Sequence, residues 1–381
     1  RALQERGHEV QVLTGFPNYP GGKLYAGYRQ YPWQRQTMDG IEVIRVPLFP
    51  SHNSSGLMRI CNFLSFGLSS FVLGPFLVKK PDVIYVYNLI TLASTWRCLR
   101  LLHGCKVVVD VQDLWPESVS SSGMLKSSIA NRLLGWWCSR AYQSANKIIV
   151  LSPGFKENLT SRNIDAARIK VVYNWCDESA IKIDKPDPEI AAKLRFSDRF
   201  NIVFAGTMGA LQSLNCIIDA AKVLEVEMPD VLFTLVGGGI EVESLKLRAA
   251  PLKNVQFLPK KPQSEIGEVL SNADVLLVHL KDDPLFEITV PSKIQAYMYA
   301  GKPILCGVRG NASDIVQTSG CGVPFEPENI DSLLQAIRTL RSMSAQQLTI
   351  MGTAGKQFYE EHLSFCNGVD QIEGVFKALV D

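Results

Sequence analysis

Short Val- and Ile-rich runs alternate with helical segments along the chain, and the alternation starts twice. The first series is EVQVLTG, IEVIRVP, DVIYVYN, KVVVDVQD, KIIVLS and IKVVYN; the second is FNIVFAG, VLFTLVGGG, NVQFLP, DVLLVHL and PILCGV. Strands that are apolar throughout and separated by helices build parallel sheets covered on both faces. Between the series lies a polar, proline-containing stretch that reads as a linker over residues 179–199. The expected fold class is α/β: two doubly wound Rossmann-like domains, residues 1–178 and 200–360, with a cleft between them. A last helix over 361–381 is expected to return towards the first domain. In such sheets ligands bind beyond the carboxyl ends of the strands. The chain opens RALQERGHEVQVLTG, which reads as a helix end, a glycine stop and a strand. A first strand of the N-terminal domain is therefore expected to be missing, leaving EVQVLTG and DVIYVYN with unpaired backbone groups.

The formal charge is only +2, but residues 1–190 hold 22 Lys+Arg against 15 Asp+Glu, so that half carries +7 and the rest −5. This asymmetry suits an anionic partner for the first half, a membrane surface or a pyrophosphate lipid, and is too mild for nucleic acid. The nine cysteines include no C-x-x-C pair and sit mostly among apolar residues, as reduced thiols of a cytosolic protein do. The run Phe63 to Val78 is apolar but is broken by two glycines and a proline, so it reads as a buried or interfacial helix rather than a span.

The stretch DPLFEITVPSKIQAYMYAGKPILCG, residues 283–307, is a loop, a short helix and a strand. Ser292 and Gln295 have capping-box spacing, with Gly301 and Pro303 ending the helix. Lys293 then falls in the first turn, where the helix dipole disfavours a cation. Two readings stand: an anion held there by backbone N–H groups and the lysine, or a solvated surface lysine. FAGTMG places Gly206 and Gly209 around the turn after a strand, where backbone N–H groups can approach a phosphate; a plain strand-to-helix turn is the alternative. The glycines of LVGGGIE read as a strand exit.

Taken with ERGHEVQVLTG, KIIVLSPGFKENL, KVVYNWCD, SNADVLLV and MGTAGKQFYEEHLSF, these segments resemble retaining GT-B glycosyltransferases of family 4, in family order along nearly the whole chain. GFPNYPGGKLYAGYRQ and DVQDLWPES further resemble the O-antigen branch that transfers N-acetyl-L-fucosamine. The resemblance implies that Glu287, the first Glu of the family's E-x7-E motif, contacts donor sugar hydroxyls. Lys293, Ser292 and the glycines Gly206 and Gly209 would face the donor pyrophosphate, where fixed donors stabilise the charge developing on leaving UDP. The second Glu of the motif is replaced by Gln295, which either contacts the ribose or only caps its helix. The family's basic residue after G-x-x-G is also replaced, by Gln212, so Lys281 or Arg309 are candidate helpers.

Asp113 is the candidate for steering the acceptor or stabilising the reacting centre, against a helix-capping reading. Trp115 and Glu117 stand beside it at the acceptor side. The loop NYPGGKLYAGYRQYPWQRQ mixes aromatics and bases, and Lys23, Tyr28, Arg29, Trp33 and Arg35 are candidates for a membrane or lipid-pyrophosphate face, against a solvated loop. Trp136 and Trp137 either join that face or are ordinary core.

The implied activity is transfer of a sugar from a UDP-sugar to a polyprenyl-pyrophosphate-linked saccharide in O-antigen or capsule synthesis. It would run on the inner face of the cell membrane, with no covalent nucleophile, cofactor or metal and no nucleic-acid partner. A UDP-sugar 2-epimerase on the same fold and a weakly active nucleotide-sugar-binding fragment are the other readings.

Overall fold

A computed structural model of the chain describes residues 1–19, 21–51, 56–88, 90–117 and 128–380. Pro20 and Ser118, which fall in stretches quoted above, and Asp381 lie outside them. Contacts divide the chain into two units. The first is Arg1–Leu151, Phe155–Val172 and Val369–Asp381; the second is Ser152–Gly154 and Tyr173–Gly368.

The first unit holds two sheets rather than one. β1 (Gln11–Gly15), β2 (Gln34–Met38) and β3 (Ile41–Val46) form a sheet of order β1-β3-β2, parallel between β1 and β3 and antiparallel between β2 and β3. β4 (Val83–Tyr87), β5 (Lys106–Val111), β6 (Lys147–Val150) and β7 (Ile169–Val171) form a parallel sheet in chain order. β1 pairs only with β3 and β4 only with β5 among the described residues, so the two strands expected to lack a neighbour are both sheet edges. The helix Gly56–Leu77 buries Phe66 and Leu77 with Ile44 and Val46 of β3, and Leu13 of β1 packs on the same cluster.

β2 lies where the sequence reads as the end of a loop. It carries no apolar run because it is an edge strand, joined to β3 by Asp39 and Gly40 with φ of 50° and 80°. Two consecutive positive φ values make the tight hairpin turn that an Asp-Gly pair favours.

The second unit is one parallel sheet of six strands: β8 (Phe200–Thr207), β9 (Val231–Gly238), β10 (Val255–Leu258), β11 (Val275–His279), β12 (Ile304–Gly307) and β13 (Gly322–Pro324), in the order β10-β9-β8-β11-β12-β13. Successive strand residues point to opposite faces, and here both faces are core. Val203, Leu276 and Ile304 bury on one side. Ile202, Leu277 and Leu305 bury on the other. This double burial is why these strands read as continuous apolar runs.

Residues 179–199 are built into the second unit instead of bridging it. Asp187 caps the helix Pro188–Lys193 by accepting from Glu189 N, and Ile181 and Phe196 are buried in the core. Of the C-terminal helix Phe365–Val380, the part from Val369 packs in the first unit. There Arg6 reaches Asp370 and Glu373 at 2.6 Å, and Phe376 meets Tyr85 edge-on.

Candidate active site

The carboxyl ends of β8 and β9 meet where glycine replaces side chains. Gly206 and Gly237 are register partners. A Cβ on Gly237 would sit 1.9 Å from the carbonyl oxygen of Gly206. A Cβ on Gly206 would sit 2.5 Å from Cε of Lys293. The glycines of LVGGG are thus more than a strand exit, since Gly237 lets the two strand ends pack backbone on backbone.

Lys293 lies over this junction from the helix Ser292–Tyr299, with Nζ 4.7 Å from the ring centre of Phe204. Burial alone holds its pKa down, to about 8. Among the described residues no carboxylate contributes to that shift, so the ammonium is a half-buried charge without a counter-charge. Cations are seldom left this way without a bound anion to complete the site. Tyr297 fixes the same helix to β8 by accepting from Ala205 N at 2.9 Å.

The start of this helix corrects the capping-box expectation. Pro291 occupies the N-cap position, Ser292 is the first helical residue and makes no cap bond, and Lys293 is the second. Ser292 is exposed, whereas Gln295 is 1% exposed. Oriented to satisfy its neighbours, the Gln295 amide nitrogen donates to Pro291 O (2.9 Å) and Ser292 O (3.2 Å). Gln295→Ala should therefore cost about 1–2 kcal/mol of stability by removing the two hydrogen bonds of a buried amide. UDP affinity should change little; a thermal melt and an isothermal titration on this variant check both halves of the expectation.

Gly209 N donates to the Gln212 side chain at 3.1 Å, so the N–H expected to face phosphate is held by an amide oxygen. Gln212 O in turn lies 2.8 Å from Nδ1 of His279, and Glu328 N donates to His279 Nε2 at 3.0 Å. The buried ring therefore carries its proton on Nδ1 and is neutral, and burial lowers its pKa. Glu328 accepts from Ser213 Oγ (2.6 Å) and Asp282 N (2.8 Å), tying the turn after β8 to the loops that follow β11 and β13. Of the two candidate helpers, Lys281 is exposed, but Arg309 is committed to Glu326 and Asp282 at 2.6–2.8 Å. Glu287 ends the helix Pro284–Glu287, which Asp283 caps, and its side chain is exposed.

In the first unit, the ends of β4 and β5 form a second polar constellation. Asn88 accepts from the backbone N–H groups of Gln112 (3.2 Å) and Asp113 (2.9 Å), and its amide donates to the Asp113 carboxylate at 2.8 Å. Asp113 is exposed, and its carboxylate is held by Asn88. It lines a small depression with Asn88, Asp110, Trp115 and Tyr142. Asp110 is buried, accepts from the Tyr85 hydroxyl and from Gln112 Nε2 (2.8 Å), and burial raises its pKa.

Trp115 and Glu117 are also tied into the framework. Trp115 stacks edge-on against Phe63 at 6.1 Å, and Arg162 binds both the Trp115 carbonyl (2.7 Å) and the Glu117 carboxylate. In the basic loop, Lys23, Arg29 and Trp33 are exposed, while Tyr28 lies under the Arg45 guanidinium at 5.1 Å. Arg35 is paired with Glu42 and donates to Leu77 O at 2.6 Å. Trp136 is 60% exposed and Trp137 half-buried, so neither is ordinary core.

Residues 1–175 match the family model of glycosyl transferase 4-like domains, and residues 186–358 that of group 1 glycosyl transferases. The chain is a GT-B glycosyltransferase. Relatives agree. The transferase is 28% identical over 294 residues to a Pseudomonas aeruginosa protein named a probable glycosyltransferase, WbjE, covering 75% of this chain and 73% of that one. It is 25% identical over 351 residues to WcaI of Escherichia coli strain K12, whose name assigns it to colanic acid biosynthesis as a glycosyl transferase; the match covers 88% of this chain and 85% of the relative.

Among solved structures, Anabaena Alr3699/HepE in complex with UDP superposes with a TM-score of 0.67 at 17% identity, covering 89% of the transferase and 86% of that chain. WaaG, a glycosyltransferase of lipopolysaccharide biosynthesis, superposes at 0.64 with 14% identity, covering 97% and 92%. Likeness at this identity speaks to the fold. Two groups escaped the sequence reading of the transferase: His279, whose signal is a lone histidine ending an apolar strand, and Asp110, the inward partner of Asp113 in VVVDVQD.

Proposed function

We propose that the transferase moves a sugar from a UDP-sugar to a polyprenyl-pyrophosphate-linked saccharide. The donor sugar would be an N-acetylated deoxyhexosamine such as N-acetyl-L-fucosamine, and the product part of an O-antigen or capsule. The observation that carries this reading is Lys293: a half-buried ammonium with no counter-charge, set against Gly206 at the carboxyl end of β8. A diphosphate oxygen would complete that charge, and another would displace the Gln212 amide from Gly209 N. The UDP complex of the similar Anabaena fold and the polysaccharide relatives support the donor and product classes.

Glu287, exposed on its short helix, is the proposed ligand of sugar hydroxyls, and Ser292 flanks the pyrophosphate. Asp113, oriented by Asn88, is the proposed acceptor-steering carboxylate. In this reading configuration is retained without a covalent nucleophile, the leaving phosphate taking the acceptor proton, and the protein's own cations do the work a metal does elsewhere. Attachment to the inner face of the membrane would be peripheral.

The test is a screen of UDP-sugars with lipid-linked N-acetylglucosamine as acceptor, read by mass spectrometry and UDP release. Acceptor-dependent UDP release is expected. Glu287→Ala should lower it about a hundredfold, on the order of 3 kcal/mol, with UDP affinity nearly intact. Acceptor-independent release, or transfer from a different nucleotide only, would overturn the reading.

A further inference from the structure

The helix Gly56–Leu77 is amphipathic in the wrong sense for a helix facing water. Its inward side carries Phe66, Ser70 and Leu77, all buried. Its outward side carries Leu64, Leu68, Phe71, Val72 and Phe76, exposed by 41–84% and set at helical intervals along one stripe. A second helix, Ser128–Ser144, exposes Ile129, Leu133 and Trp136 at 60–72% in the same spacing. The two are linked through one loop: Phe63 meets Trp115, and a Cβ on Gly135 would touch Pro116 at 3.6 Å. Stripes of large apolar side chains exposed to this degree on a globular domain mark a place where something binds.

We infer that this two-helix face of the first unit is a docking surface for an anionic phospholipid bilayer, into which its leucine and aromatic side chains insert. Charge identifies the occupant. Residues 56–80 and 128–147 contain no Asp or Glu, whereas Lys80, Arg132 and Arg140 are exposed there. Apolar side chains rimmed by cations suit an interface whose headgroups are negative. A second copy pressed on the same face would set cation against cation, which costs free energy. The longer helix is apolar enough to cross a membrane by composition. It lies on the surface instead, because leaving the fold would strip Ile44 and Val46 of β3 of their cover. The inference deepens the lipid-linked acceptor reading and rests on it for its purpose. It also moves the attachment away from the Lys23–Arg35 loop, whose Arg35 is already paired.

The test is co-sedimentation of the full chain with phosphatidylcholine vesicles holding about 30% phosphatidylglycerol, at roughly 0.15 M and 0.5 M salt, where screening differs strongly. Binding is expected to persist at the higher salt. Leu68→Glu/Phe76→Glu and Leu133→Glu/Trp136→Glu should each partition about tenfold more weakly or worse, because the inserted side chains supply most of the transfer free energy. Their melting, UDP affinity and turnover on a water-soluble short-chain acceptor should match the wild type. Unchanged vesicle binding in both variants, or complete loss of wild-type binding at high salt, overturns the inference. So does a concentration-dependent dimer that the same substitutions dissolve, which would assign the face to a second copy. Vesicle binding without any sugar transfer would sink the functional reading and leave the docking surface standing.

Discussion

Replacing Lys293 by alanine should cut turnover about a hundredfold, on the order of 3 kcal/mol of transition-state stabilisation, without lowering the melting temperature of the ligand-free protein. The two effects separate because this lysine is costly to the empty fold. Its ammonium sits over Phe204 without a carboxylate, and burial takes its pKa down to about 8. Between that value and the ordinary lysine pKa, the unfolded chain binds a proton that the folded chain lacks, so stability rises with pH across the window. Below about pH 8 the folded protein carries the full desolvation penalty, which alanine removes. Binding of UDP has the opposite sign. It needs the charged form, so affinity should fall as pH rises through and beyond about 8, and Lys293→Ala should flatten that slope. Titrations of UDP at about pH 7 and pH 9.5, with a melt at each, measure both. A variant with near wild-type turnover and an unaltered pH slope would make the lysine a bystander.

The sheets were legible because the strands of the second unit bury both faces, and a strand with two cores must be apolar throughout. β2 was not, since an edge strand with one wet face can be built from Gln, Arg and Thr; the Asp39–Gly40 turn was its one local signal. The S-x-x-Q spacing was also misleading. Pro291 takes the N-cap position, so Ser292 enters the helix and Gln295 turns inward to Pro291 O and Ser292 O. The place of Lys293 in the first turn was readable, but its burial without a counter-charge was not. Charge pairing is settled by residues far apart in the chain. Arg309 with Asp282 and Glu326, Arg162 with Glu117, and Arg35 with Glu42 each withdraw a residue that sequence alone leaves open as a ligand. Asp113 stood out in its motif, but the burial of Asp110, three residues before it, was not legible there.

The glycine pair at the strand ends should answer to alanine in two different ways. At Gly237 the backbone has φ +142°, which side chains rarely adopt, and the new Cβ would lie 1.9 Å from the Gly206 carbonyl oxygen. Neither atom belongs to a flexible side chain, so β8 and β9 must part, and the loss should be about 3 kcal/mol or more. In a unit of this size that lowers Tm by roughly 6–12 °C. At Gly206, φ is +150°, but the atoms a Cβ would meet are Cε and Nζ of Lys293, at 2.5 and 2.9 Å. That side chain can swing aside. Gly206→Ala should thus lose less stability than Gly237→Ala yet lose more UDP affinity relative to its melting shift, because the displaced ammonium no longer lies over the strand junction. Thermal melts and UDP titrations on the two variants test the contrast directly. If Gly237→Ala melts with the wild type, β8 and β9 do not pack backbone on backbone. If Gly206→Ala keeps full UDP affinity, the anion is held somewhere other than beneath Lys293.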